Sequence, residues 1–186
     1  MQTLMPPLTP QDHLRGDPNA TVTLIEYGDY QCPHCAAAEP LVVEALRRSP
    51  GVRQTFRHFP LETIHPMAKL AAETAEFAAD HGLFWQMHGA LMAHSAKLSI
   101  PLLFDLAAAL GLPGEKLRDS LSSGRFVAKV GHDFARGVLS GVGGTPTFYI
   151  NEQRYVGPIT VGALTAAITT ARAHVIAVVP KMHVNS

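Results

Sequence analysis

Val22-Thr23-Leu24-Ile25-Glu26-Tyr27-Gly28-Asp29-Tyr30-Gln31-Cys32-Pro33-His34-Cys35-Ala36-Ala37-Ala38 turns from strand to helix within a few residues. Residues 22–28 are mostly β-branched or apolar and lack a helical period, the pattern of a buried strand. Pro33 suits the first position of a helix, where a missing N–H costs nothing, and the alanines propagate it. The helix is predicted to reach Arg48, bent at Pro40, and to stop before Ser49-Pro50-Gly51. Val52–Phe59 alternates apolar and polar residues and reads as a second strand. Strand, helix and strand with short links make a parallel βαβ unit.

Further along, the apolar period changes to that of helices. Pro66–Asp80, Leu83–His94, Pro101–Leu110, Glu115–Leu121 and Phe126–Leu139 are predicted helices, punctuated by Gly82, Gly111, Gly124 and Gly141. Strand character returns at Thr147–Ile150. A turn at Asn151-Glu152-Gln153 leads to Arg154-Tyr155-Val156 as a hairpin, Gly157-Pro158 breaks the chain, and a helix from about Val161 to His174 closes it. Neither half of such a sheet buries both faces alone. The order βαβ, helical block, ββα therefore predicts one α/β domain over residues 12–175, with a mixed sheet and an all-helical insertion at about 66–141. A flexible tail at 1–11 and another at 176–186 are expected to flank it, the first because of its prolines.

With 47% hydrophobic and 16% charged residues the chain can bury a core, which excludes a disordered protein. Fifteen basic residues balance fifteen acidic ones, so there is no electrostatic footprint for nucleic acid or anionic lipid. The apolar stretch Val161–Val179 is interrupted by Arg172 and His174 and predicts no membrane span. Residues 1–10 lack the features of a secretory signal, from which a cytoplasmic location is expected.

The two cysteines are the only ones in the chain. At i and i+3 on a helix their Cβ atoms come within about 5–6 Å, close to disulfide geometry. Cys32, on the first half-turn, faces unpaired backbone N–H groups and the positive end of the helix dipole, and both favour a thiolate. Cys35 lies a turn deeper and is less ionised. Cys32 is therefore expected to exchange with the partner and Cys35 to resolve the mixed disulfide. His34, between them, can donate to the Cys32 sulfur or add positive charge. Half a zinc site is the competing reading, but it needs a second ligand pair that the chain offers only as histidines or carboxylates. Glu26 interrupts the apolar strand six residues before Cys32. It is expected beneath the cysteines, with a raised pKa, to trade a proton with Cys35; a strand-end salt bridge is the alternative. Asp29 reads as a turn or cap residue.

Glu26–Cys35, together with Gly143-Gly144-Thr145-Pro146-Thr147-Phe148-Tyr149-Ile150-Asn151, resembles the DsbA-type branch of the thioredoxin superfamily. Arg57–Leu61 and the pair Phe84-Trp85 resemble the same branch. The resemblance implies a thioredoxin-like mixed sheet with a helical cap over the cysteines. It also implies disulfide exchange with protein thiols, and with a redox partner protein or glutathione, without a bound organic cofactor. Thr145-Pro146 would face Cys32, with Pro33 and His34 between the cysteines and Pro146 in the cis form. A proline there leaves a free edge at Thr145 to which an extended substrate can add as a strand.

Other features read as structural. His58, His65, His81, His88 and His94 lack metal-ligand spacing, and no metal is expected. Trp85 with Phe84, Phe77 and Leu70 reads as core of the cap, or as the lining of a peptide groove. Gly141–Gly144 precedes a strand and not a helix, so it is no phosphate loop. Two further functions stay open: a redox-sensing, chaperone-like binding module without catalysis, and a glutathione-dependent transferase or isomerase.

Overall fold

The computed structural model describes residues 7–178. Its strands are β1 (His13–Gly16), β2 (Val22–Gly28), β3 (Val52–His58), β4 (Thr147–Ile150) and β5 (Gln153–Tyr155). The helices are α1 (Pro33–Arg47), α2 (Ala68–Ala79), α3 (Phe84–Ala93), α4 (Ile100–Ala109), α5 (Gly114–Ser123), α6 (Val127–Leu139) and α7 (Val161–Val178), with a 3-10 turn at Ser95–Lys97. The sheet order is β1-β3-β2-β4-β5. Only β2 and β3 run parallel, as the βαβ reading requires; the other pairs are antiparallel. The expected mixed sheet with an all-helical insertion is what the chain adopts.

Strand β2 is buried along its whole length because it pairs on both sides and is covered on both faces. On one face Val22 and Leu24 pack with Val42 and Ala45 of α1 and Leu164 and Ile168 of α7. On the other, Ile25 and Tyr27 pack with Phe59, Val142 and Tyr149. The largest cluster lies within the insertion and reaches Cys32, Cys35, Tyr30 and Phe56. Each fully buried side chain such as Met87 or Leu91 contributes about 1.5–3 kcal/mol, so the insertion is fused to the sheet by a common core.

The structure departs from the sequence reading at the ends. Strand β1 was not expected; its four residues pair antiparallel with β3, His13 opposite Phe56. Gly16 ends it at φ +100, and a Cβ there would lie 2.5 Å from the Val52 carbonyl oxygen. Residues 7–11, assigned to a flexible tail, are instead tied down. The Thr9 N–H donates to Asp12 Oδ2 at 2.7 Å, and the Pro7 carbonyl accepts from Arg57 Nη2 at 3.1 Å and from Arg136. The cause is Arg57, whose fully buried guanidinium needs acceptors and finds Asp12 at 2.7 Å. At the other end α7 continues past His174 to Val178, into the stretch assigned to a tail. Residues 1–6 and 179–186, the remainder of the two expected tails, lie outside the described residues.

Candidate active site

Helix α1 starts as its sequence dictates. Cys32 is the N-cap, in extended conformation with no side-chain capping bond, and Pro33 occupies the first turn. Its sulfur is thus free to face the helix N-terminus. Asp29 orders the approach: its Oδ1 accepts the Gln31 N–H at 2.7 Å, and its Oδ2 accepts the Leu61 N–H and pairs with His65 Nδ1, both at 2.8 Å. That is the turn role read from the sequence. Cys32 is 4% exposed and Cys35 fully buried; both are free thiols.

The two sulfurs differ sharply in acidity. The Cys32 thiol is lowered to about 5, first by the hydrogen bond from Cys35, with burial opposing, then by Thr145 and by the backbone N–H groups of Cys35 and His34. Those amides are the unpaired donors of the helix start. Cys35 is pushed far up, chiefly by its bond to Cys32 and by burial, with the Glu26 charge adding to it. His34 acts on Cys32 through its backbone N–H; its side chain is exposed, as is Pro33.

The peptide bond between Thr145 and Pro146 is cis. The Cys32 Sγ donates to the Thr145 carbonyl at 3.4 Å, which places this loop, at the start of β4, against the cysteine. The buried Thr145 Oγ1 has no hydrogen-bond partner of its own.

Glu26 is fully buried, paired in register with Phe56 and Phe148. Neither carboxyl oxygen makes a hydrogen bond, so the strand-end salt bridge is not what the structure has. Burial holds the group well above the ordinary carboxylate range, with the Glu39 charge next in size and Cys32 adding; Arg15 opposes. An uncompensated buried carboxyl keeps its proton.

Four neighbours of this site escaped the sequence reading. Glu39 lies on the buried face of α1, four residues after Cys35, and Arg15 of β1 reaches it at 3.1 Å. His88 of α3 lies 3.2 Å from the other Glu39 oxygen, and the Tyr30 hydroxyl meets His88 Nδ1 at 3.2 Å. The i+4 spacing of Cys35 and Glu39 was the available signal; Arg15 and His88 arrive by tertiary contact alone. Trp85 is half-buried and packs against the insertion core, edge-on to Phe84, with the Arg15 guanidinium 4.1 Å above its ring.

His58, His65, His81, His88 and His94, expected to be structural, are each hydrogen-bonded. His81 and His94 pair with main-chain carbonyls one turn back, at 2.9 and 2.8 Å. His58, Glu76 and Asp133 bring one potential metal-ligand atom each within 4.8 Å of one another. The cationic role there is already filled. Lys129 Nζ lies 2.6 Å from Asp133 Oδ2 and 3.5 Å from Glu76 Oε1, and that oxygen also meets His13 and His58 Nε2 at 2.8 and 2.7 Å. The cluster fits a buried ion network better than a metal centre.

The family model described as Thioredoxin matches residues 8–170. A thioredoxin-like oxidoreductase from Silicibacter pomeroyi superposes with a TM-score of 0.80 at 28% identity, over 89% of this chain and 94% of that one. The α-DsbA1 protein of Wolbachia pipientis superposes with a TM-score of 0.80 at 20% identity, over 92% and 96%, and shares the fold. Among curated proteins, the Na(+)/H(+) antiporter NhaA 1 of Salinispora arenicola is 43% identical over 169 residues, which are 90% of this chain and 26% of that protein. The chain thus spans about a quarter of the length of such relatives. Among the described residues no helix is long and apolar enough to cross a membrane.

Proposed function

The chain belongs to the thioredoxin family, and from that membership and the cysteine geometry we propose that it is a protein thiol-disulfide oxidoreductase that runs as an oxidant of protein thiols. The single observation that carries this reading is the asymmetry of the pair: a Cys32 thiol lowered to about 5 beside a Cys35 pushed far up, under a cis-proline loop. A stabilised Cys32 thiolate favours the dithiol over the disulfide, and a disulfide that is easily reduced is a strong oxidant of others. The similarity to a thioredoxin-like oxidoreductase supports the same class.

In the proposed cycle a substrate thiolate attacks the Cys32 sulfur of the Cys32–Cys35 disulfide. The internal bond breaks, and the Cys35 sulfur leaves with the bonding electrons and takes the proton from the Glu26 carboxyl. A second substrate thiolate then attacks the substrate sulfur of the mixed disulfide, releasing Cys32 as its thiolate. The substrate has lost two electrons and the cysteine pair has gained them. A redox partner protein or glutathione disulfide takes them back by the reverse exchange. Glu26, whose pKa burial raises, can give that proton to Cys35 and take it back when the exchange runs in reverse. The Thr145 backbone beside Pro146 offers its free edge to an extended peptide, which aligns the substrate sulfur with Cys32.

The test is redox equilibration of the full chain against glutathione, read by alkylation of the free thiols. A potential near about −120 mV is expected of an oxidant, whereas about −270 mV would assign a reductant. Failure of the pair to bridge under mild oxidation would overturn the exchange chemistry altogether.

A further inference from the structure

Beneath the cysteines lie two buried carboxyls that the fold treats unequally. Glu39 faces nitrogen partners on both oxygens, Arg15 Nη2 at 3.1 Å on one and His88 Nε2 at 3.2 Å on the other. Glu26 receives none. Two carboxyls in one low-dielectric region do not both ionise without compensation, so the partnered one holds the charge and the unpartnered one the proton.

His88 is built to serve this division. It is fully buried on α3. The Tyr30 hydroxyl, kept protonated by burial, has Nδ1 at 3.2 Å as its acceptor. Nε2 faces the Glu39 carboxylate, which only accepts, so the neutral ring keeps its proton on Nε2 and leaves Nδ1 to accept from the Tyr30 hydroxyl. The Nε2–Oε2 pair is out of line for a straight hydrogen bond, so it acts as an electrostatic contact. Burial lowers the His88 pKa and keeps the ring neutral near pH 7, and the Nε2–H dipole still points its positive end at the carboxylate.

Resting on the exchange function above, we propose that His88 is a positioning residue for the cysteine pair: held by Tyr30, it keeps the Glu39 carboxylate ionised one turn below Cys35, and through that charge keeps on Glu26 the proton that Cys35 takes up. The groups that face this pocket all enter the balance. Arg15 from β1 favours ionisation of both carboxyls; the Cys32 thiolate at the head of α1 disfavours that of Glu26. His58 from β3 disfavours a second positive charge on His88, and Glu76 from α2 helps keep Tyr30 protonated. A histidine serving packing alone would need neither the Tyr30 contact nor the placement on Glu39.

The test uses the reduced full chain and an aromatic disulfide whose thiolate is coloured. The second release of colour reports Cys35 resolving the mixed disulfide on Cys32, and its rate is followed against pH. In the wild type that step is expected to show an inflection that Glu26→Gln abolishes. His88→Leu is expected to move the inflection to lower pH by about half a unit or more, because a weakened Glu39 charge releases the Glu26 proton sooner. Glu39→Gln is expected to reproduce the shift, with no further change in the double variant. Tyr30→Phe preserves the ring packing and is expected to shift it in the same direction by less. An inflection unmoved in both His88→Leu and Tyr30→Phe, with only the denaturation midpoint lowered, overturns the positioning role while exchange itself survives. Absence of any exchange in the wild type overturns the function on which it rests.

Discussion

At the scale of single residues the chemistry is concentrated in Cys32, and its behaviour follows from position more than from identity. A thiol at an N-cap with no side-chain cap to compete meets backbone N–H groups that nothing else satisfies. Its acidity should be visible directly: alkylation by iodoacetamide, which consumes thiolate, is expected to titrate with a midpoint of about 5 in the reduced protein. A midpoint above about 8, the range of a free thiol, would remove the electrostatic basis of the site. Thr145 supplies a second check. Its buried hydroxyl lacks a hydrogen-bond partner and lies next to the Cys32 sulfur, and the thiolate is the acceptor that would satisfy it. Thr145→Val is therefore expected to raise the alkylation midpoint by about half a unit to one unit, the scale of one modest hydrogen bond to a charged group. The motif residues of this loop and of the Cys-x-x-Cys turn were legible in the sequence because they are local. Arg15, Glu39 and His88 were not, because β1, α1 and α3 meet only in the folded chain.

At the scale of elements, the insertion is fastened to the sheet by charge as well as by its core. Glu76 of α2 sits with one oxygen between His13 of β1 and His58 of β3, and Lys129 of α6 stands at 3.5 Å. These contacts hold the carboxyl well below its ordinary value despite burial, His13 contributing most and then His58. A carboxylate whose pKa is depressed by folding stabilises the fold above its unfolded value, here 4.5, and that stability is lost as the pH falls below it. Glu76→Gln is expected to cost about 3–5 kcal/mol near neutrality, as for one member of a buried ion pair. It should also flatten the acid limb of a urea-midpoint curve; a variant with the wild-type acid limb would show that the clasp carries no linkage. The same region explains where sequence reading stopped. Helix periodicity located α2 to α6 to within a few residues, since each writes its own apolar stripe. Strand β1 is four residues, His-Leu-Arg-Gly, too short and polar to write a period, and it exists because β3 offers an edge and Arg57 draws residues 7–12 across it.

At the scale of the whole molecule, the acidity of one sulfur becomes a property of folding. In the reduced protein the Cys32 pKa falls from its unfolded value near 9 to about 5. A depressed acid contributes stability that is complete above the unfolded value, shrinks as the pH drops, and is gone below the folded value. The window is therefore about pH 5 to 9. Cys35, pushed up, favours the fold below its own unfolded value and changes little inside that window. The chief cause of the raised Glu26 pKa is burial, and the Cys32 charge is the smallest of its causes. The oxidised protein has no thiol to ionise. The stability of the reduced form relative to the oxidised form is thus expected to climb from pH 5 to pH 9, with a slope of at most about 1.4 kcal/mol per pH unit. Paired urea denaturations of the two forms measure it. By the thermodynamic cycle, whatever the reduced fold gains over the oxidised one appears as oxidising power of the disulfide. A difference flat across that range would mean that ionisation of Cys32 does not drive the exchange; Cys32→Ser cannot form the disulfide, so its stability is compared with the reduced wild type, and loss of the rise there would tie the redox poise to that sulfur.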